Sequence, residues 1–397
     1  MTDRSGSLTR HRVARVVVAT GCVVGSVLLI SCSSNSGSGG GSTGASSTAS
    51  AGVAQAEKLL AAQQLPPTAQ LVLSPVTGAA ALRGKTIAYI SSGLSFPFSQ
   101  EVLSGTKAAA AVLGMKVTVT DTQGDPSAAS SQIDQAVGLH SSAIILQGTD
   151  PTDVRAAIED AKAAGIPVVS VAALPEATVP ATLASFGVSA SVTFSSAEAG
   201  KQLADFVVAN SNGNADVGII GSSTFPISAP TIAAFKSELE RLCPSCSTVE
   251  QDSPETQWAT TLQSQAASMV ISHPDVNYLF PLVDAMAATV KAGIASSGAS
   301  SRVKVVSLNA SIGDLKAIAS GTDPEVADVG GPNVRMGWAS VDQVVRLLTG
   351  AAANGATIPQ MTFDAASVSK LDLSKPRETF FGTYDYVAAY EKSWGMS

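Results

Sequence analysis

The chain has 397 residues, with 24 Lys and Arg against 31 Asp and Glu, and three His. The acidic balance of −7 excludes broad binding to nucleic acid or anionic lipid, both of which demand basic patches. A hydrophobic content of 45% over this length is enough for two lobes, each with its own core.

Arg4, Arg10, Arg12 and Arg15 precede an uncharged apolar run from Val16 to Ile30. That run is too short for a hydrocarbon core, which needs about 20 residues, and a basic segment before a short apolar one is the layout of a secretory signal. It closes on Leu29-Ile30-Ser31-Cys32, which resembles the lipobox read in bacterial lipoprotein processing. The resemblance implies removal of a signal peptide, 1–31, and diacylation of the Cys32 thiol. The expectation is an extracytoplasmic protein, lipid-anchored to the cell membrane. Residues 33–53 are almost all Ser, Gly, Ala and Thr, so 32–53 reads as the lipidated Cys and a flexible tether. Loss of 1–31 takes away four basic residues and one acidic residue, leaving 20 against 30 and a net charge of −10.

Residues 54–82 read as a short helix, stopped by Pro66-Pro67, and a connector. From Lys85 the chain alternates. Strands are expected at 86–91, 116–120, 143–147 and 168–171, with helices at 99–113, 128–139 and 152–164 between them. Gly114 stands where a helix C-cap needs a positive φ. A second series starts near Ser195, with helices at 197–209, 231–242, 257–272 and 284–295 and strands at 216–221, 247–250, 278–281 and 303–307. Short apolar strands separated by helices of about 12 residues mean βαβ units and parallel sheets. The expected fold class is therefore α/β, with two doubly wound Rossmann-like lobes. Ligands of such sheets bind outside the carboxyl ends of the strands.

Cys22 leaves with the signal, so Cys243 and Cys246 are the two thiols not already assigned. Their C-x-x-C spacing serves a redox pair, half a zinc site or a local disulfide. A redox pair would open a helix, whereas this one follows a helical pattern; a zinc site would need two more ligands. In an oxidising compartment a disulfide stapling a helix end to the next strand is the expectation.

From about Lys85 onward the chain resembles the type I periplasmic binding proteins of the ribose and galactose class, the solute receptors of ABC importers. The resemblance rests on Ile87 to Phe98, on Ala143 to Asp150, on Ala164 to Val169, and on Ser272 to Phe280 followed by Asp284-Ala-Met286. It implies two lobes joined by hinge strands and closing on a small solute. The first would cover 83–187 with a returning helix near 333–356. The second would cover 188–331 with the tail at about 357–397. It also implies a monomer without a cofactor, partnered by its solute and a membrane ABC permease.

Carried over position by position, the resemblance implies ligand-binding roles for Ser92, Phe96, Phe98, Gln147, Phe225, Trp258, Asp284 and Asn309, with Asp284 also suited to capping its helix. The family's charged pair after the fourth strand is here Ala172-Ala173, and its Arg in the second lobe falls near Ala229. A free monosaccharide would leave hydroxyls unpaired, at roughly 1–3 kcal/mol for each buried group. The expected ligand is therefore sugar-like but less hydroxylated, or an aromatic or partly apolar molecule.

Catalysis is not expected. The body after the tether has only His140 and His273, and within it no Gly-x-Ser-x-Gly elbow or metal-ligand spacing appears. A sensor presenting ligand to a membrane receptor kinase is the alternative to an importer component, and the sequence does not separate the two.

Overall fold

A computed structural model describes residues 43–68 and 71–396. Residues 1–31, expected to form a signal peptide, and Cys32, expected to be lipidated, lie outside the described residues.

The chain opens with helix α1 (Thr43–Gln63). A first series follows: β1 (Thr86–Ser91), α2 (Pro97–Val112), β2 (Lys116–Asp121), α3 (Pro126–Gly138), β3 (Ala143–Gln147), α4 (Arg155–Ala163), β4 (Val168–Val171), α5 (Ala181–Phe186) and β5 (Val188–Thr193). The second runs α6 (Ser196–Ser211), β6 (Asp216–Gly221), α7 (Ser228–Leu242), β7 (Ser247–Asp252), α8 (Leu262–Ser272), β8 (Tyr278–Pro281), α9 (Asp284–Ser296), β9 (Lys304–Leu308), α10 (Ile312–Ser320) and β10 (Glu325–Gly330). Then come α11 (Asn333–Thr349), β11 (Ala356–Thr357), β12 (Met361–Asp364), α12 (Ala365–Val368) and α13 (Tyr386–Ser393).

Two six-stranded sheets result, in the orders β11-β5-β4-β3-β1-β2 and β12-β10-β9-β8-β6-β7. The strand pairs run parallel except β10 with β12. Alternation along β1 shows the double winding. Ile87 and Tyr89 face a core shared with α2 and α11, while Ala88 and Ile90 face one shared with α3, α4 and α5. The chain crosses between the sheets at 194–195, 331–332 and 358–360. The three crossings touch: a Cβ on Gly331 would lie 2.4 Å from the Pro359 carbonyl oxygen and 2.5 Å from the Phe194 ring.

Four boundaries differ from the sequence reading. β5, expected in the second lobe, belongs to the first sheet. Its Val-Ser-Ala-Ser-Val-Thr pattern looks polar, yet Val188, Ala190 and Val192 all point into cores. β11, which straddles the boundary expected at about 356/357, pairs wholly with the first sheet. The tail, expected with the second lobe, divides: Phe380 and Phe381 pack there, but Tyr390 and Trp394 stack on Trp338 of α11 in the first. Finally, α1 begins at Thr43, within the segment expected to be tether. Ala-rich sequence has the lowest helical cost, and Val53 and Ala56 bury themselves in the second lobe's core.

Cys243 and Cys246 form a disulfide between the end of α7 and the start of β7, with Cα atoms 5.4 Å apart. No helix among the described residues is long and apolar enough to cross a membrane.

α11 returns from the second lobe to lie on α2, backbone against backbone. A Cβ on Gly105 would fall 2.0 Å from the Val334 carbonyl oxygen, and one on Gly337 would fall 2.2 Å from that of Val102. The expected outcome for Gly105→Ala is a loss of about 2–3 kcal/mol by urea unfolding, because helix separation outweighs a propensity gain of about 1 kcal/mol. An unchanged midpoint would show that the two helices separate freely.

Candidate functional site

The carboxyl ends of the parallel strands in both lobes face one cavity, open to solvent at its mouth. Ser92 follows β1, Gln147 ends β3, Ala172 follows β4 and Phe194 follows β5. From the second lobe come Phe225 after β6, Trp258 after β7, Val283 after β8 and Asn309 after β9. This is where doubly wound sheets leave a crevice.

Aromatic rings dominate the lining. Pro97 starts α2 with the fixed φ its first position favours, which places Phe96 at the N-cap and Phe98 one residue into the helix. The Phe96 ring lies 5.9 Å from Trp258 across the cleft, and Phe225 lies 5.7 Å from the same indole. Phe98 meets Phe194 at 6.1 Å. These are tilted ring pairs, a favoured arrangement. The indole is oriented by its own donor: Trp258 Nε1 donates to the Ser253 carbonyl at 2.8 Å.

The polar side chains of the lining are all uncharged. Ser91 Oγ donates to Gln147 Oε1 at 2.5 Å, which orients the amide and leaves Nε2 to donate into the cavity. Thr231 is buried and its Oγ1 has no partner among the described residues. Among the described residues lining the cavity none is ionisable. Asn309 holds φ at 111° and the next residue, Ala310, at 49°, a strained corner under the cavity.

Seven of the eight residues assigned from sequence line this cavity: Ser92, Phe96, Phe98, Gln147, Phe225, Trp258 and Asn309. Asp284 does not, which corrects its assignment. Nor does its side chain cap α9. Its Oδ2 accepts the Ser311 N–H at 2.7 Å and its Oδ1 the Ser307 hydroxyl at 2.9 Å, so it ties the loop after β9 to the start of α9. Burial, and then the neighbouring Asp328, hold its carboxyl well above the usual range. Sequence reasoning missed Phe194, Thr231 and Gln360. Phe194 and Gln360 sit on crossings whose strands were not recognised, and Thr231 lies inside α7, where the periodic pattern carried no sign of the cavity.

One acidic group lies between the lobes. Glu255 belongs to the second lobe, but its carboxylate lies against Gly93 and Gly124 of the first, where a Cβ on Gly124 would come within 2.9 Å of Oε2. Burial, with Asp121 nearby, pushes its carboxyl up to about 7.

Two α/β lobes, three crossings and an apolar interlobe cavity define a two-lobed receptor fold. Residues 87–352 match the model of the periplasmic binding protein domain, and the chain belongs to that family. It is 25% identical over 217 residues to the ribose import binding protein RbsB of Bacillus subtilis (strain 168), a match covering 54% of this chain and 66% of that protein. The chain thus spans slightly under two thirds of the length of this curated relative. Among solved structures it resembles a 5-methylthioribose transporter solute binding protein from Thermotoga lettingae TMO, at a TM-score of 0.67 and 18% identity over 80% of this chain and 99% of that one. It also resembles an ABC transporter solute binding protein from Agrobacterium vitis bound with α-D-tagatopyranose, at 0.66 and 18% identity over 73% and 98%. At this identity the likeness is one of fold.

Proposed function

We propose that the protein is a lipid-anchored, extracytoplasmic solute receptor that captures a small molecule between its lobes and delivers it to an ABC importer. It acts by binding and not by catalysis, as a monomer tethered through Cys32. One observation carries the reading: aromatic rings from both lobes converge on a cavity at the strand ends, so occupancy and lobe closure are coupled. The same lining argues the class of solute. With five aromatic rings, no ionisable side chain and polar side chains that include Ser92, Gln147, Asn309 and Gln360, it suits a neutral ligand with an apolar face: an aromatic or partly apolar molecule, or a deoxy or otherwise modified sugar.

The test is a thermal-shift screen of the whole chain. Free ribose, glucose and galactose form one panel; modified pentoses, including 5-methylthioribose, and neutral aromatic compounds form the other. A ligand at 100 times its Kd stabilises by about 2.7 kcal/mol, a shift readily seen. Responses confined to the second panel are expected. Tight binding of a free hexose or pentose would overturn the solute class, and failure of both panels to bind would count against the receptor reading.

Glu255 gives capture a pH dependence. Its carboxyl sits near 7 in the closed arrangement and near the ordinary 4.5 once exposed, so closure is opposed as pH rises through 4.5 to 7. Affinity is expected to be up to about tenfold higher at pH 5 than at pH 8, the shift being moderated by solvent at the mouth. Titration calorimetry of Glu255→Gln should give a flat profile; a profile unchanged from the wild type would refute this role.

A further inference from the structure

Beneath the cavity floor in the second lobe, four carboxylates converge: Asp284 at the start of α9, Asp314 in α10, and Glu325 and Asp328 in β10. One oxygen from each lies within 4.8 Å of the others. A fifth, Asp323, stands beside them. Among the described residues the one cation in contact is Lys291, whose Nζ is 2.8 Å from Glu325, 3.1 Å from Asp323 and 3.9 Å from Asp314. Five carboxylates and one ammonium leave a large negative excess in a poorly solvated place.

The hydrogen bonds do not absorb that excess. Ser307 Oγ lies 2.9 Å from both Asp284 Oδ1 and Glu325 Oε1, but it has one proton and can donate to only one of them. Asp314 takes the hydroxyl of Ser311, and Asp284 Oδ2 takes the Ser311 amide. Asp328 faces the Asp284 carboxyl and the Ala310 backbone, but neither contact has good hydrogen-bond geometry. Its residue is 0% exposed and neither carboxylate oxygen has a hydrogen-bond partner. A fully buried carboxylate without a donor is a costly arrangement unless a cation or a proton completes it.

We infer that Asp284, Asp314, Glu325 and Asp328 form a binding site for a hard divalent cation, and that the cation is calcium. Calcium takes oxygen ligands at about 2.3–2.6 Å, so two ligands across it are about 4.6–5.2 Å apart, and the carboxylate cluster falls within that span. Magnesium holds its ligands at about 2.0–2.1 Å and keeps several waters, for which this buried pocket makes no provision. Lys291 stands at the Glu325 and Asp323 side and leaves the Asp284 and Asp328 side to the ion. The site has a structural reach: Val283 and Ala285, which flank Asp284, line the cavity, and Ser311, held by Asp284, follows the strained Asn309–Ala310 corner. An ion here would fix the cavity floor without touching the solute.

The test is isothermal titration of CaCl2 into the whole chain after EGTA treatment, at pH 7.5, with MgCl2 as a second titrant. One calcium per chain is expected, with a Kd of about 10⁻⁴ M, in the range of extracellular calcium sites. Asp328→Asn should weaken binding by about tenfold or more, because affinity follows the number of charged ligands. Asp134→Asn, an exposed control on α3, should leave it unchanged. If Asp328→Asn does not fold, Asp314→Asn, at the more open side of the cluster, should show the same loss. No saturable calcium binding up to about 5 mM would overturn the inference and leave protons to neutralise the carboxylates. So would an Asp328→Asn variant that binds calcium like the wild type, or magnesium binding as tight as calcium.

Discussion

Trp258→Ala should remove the ligand response of the protein, weakening binding by roughly 50- to 100-fold. An indole face covers on the order of 100 Å² of an apolar ligand, and at about 25 cal/mol/Å² that is about 2.5 kcal/mol. The indole also links the lobes, since Phe96 of the first and Phe225 of the second both pack on it. Truncation therefore removes a ligand contact and a closing contact together. Trp258 is 7% exposed and part of the second lobe's core, so the variant should also lose about 3 kcal/mol or more of stability. Titration calorimetry on the folded fraction separates the two effects. Trp258→Phe keeps a ring without the Nε1 donor to Ser253, and should recover much of the affinity. If Trp258→Ala melts earlier but binds its ligand as tightly as the wild type, the residue is structural and the cavity assignment fails at its centre.

Most of the architecture could be read from the sequence because hydrophobic periodicity is local. β1, β3, β4, β6, β8 and β9 are short, largely apolar runs between helices, and nothing outside each segment is needed to see them. The cavity was legible for the same reason: residues just after strands in a doubly wound sheet have nowhere to go but the crevice. What escaped depends on distant partners. β5 alternates small polar and apolar residues, and its burial exists only once β4 and β11 flank it. The placement of α13 depends on Trp338, more than 50 residues earlier, offering its ring to Trp394. Asp284 is instructive in another way. Its motif matched the family, but its carboxylate accepts from Ser307 and Ser311 beside Asp328 and Glu325, contacts between distant elements that no single motif displays.

Arg377→Met should be the most destabilising single change outside the cores, at about 3–5 kcal/mol. The side chain is 4% exposed and comes from a 3₁₀ turn, Arg377–Phe381, in the tail. Its Nε and Nη2 donate to Glu101 at 3.0 and 2.8 Å, Nη2 also reaches the Gly331 carbonyl at 2.7 Å, and Nη1 reaches those of Asn309 and Ala310 at 3.3 Å. The guanidinium further lies over Phe381, 5.3 Å from its centroid. Glu101 is on α2 of the first lobe, Asn309 and Ala310 are in the second, and Gly331 is at a crossing, so one fork spans both lobes and the hinge. Methionine would preserve the stem's volume while leaving three carbonyls without their donor and Glu101, which is partly exposed, with only Asn333 Nδ2 as a donor. A fall in midpoint of roughly 6–15 °C is expected by differential scanning calorimetry. The effect should extend to binding. Asn309 and Ala310 hold positive φ values with no glycine to ease them, and the Arg377 donors grip the carbonyls of both. Without that grip the corner can relax and Asn309 loses its aim into the cavity, so affinity should drop by about tenfold even at temperatures where the variant is fully folded. Glu101→Gln, which keeps an acceptor for Arg377, should lose much less of both. A melting point within about 2 °C of the wild type would mean that solvent replaces the fork, and the lobes would then be held by their packing alone.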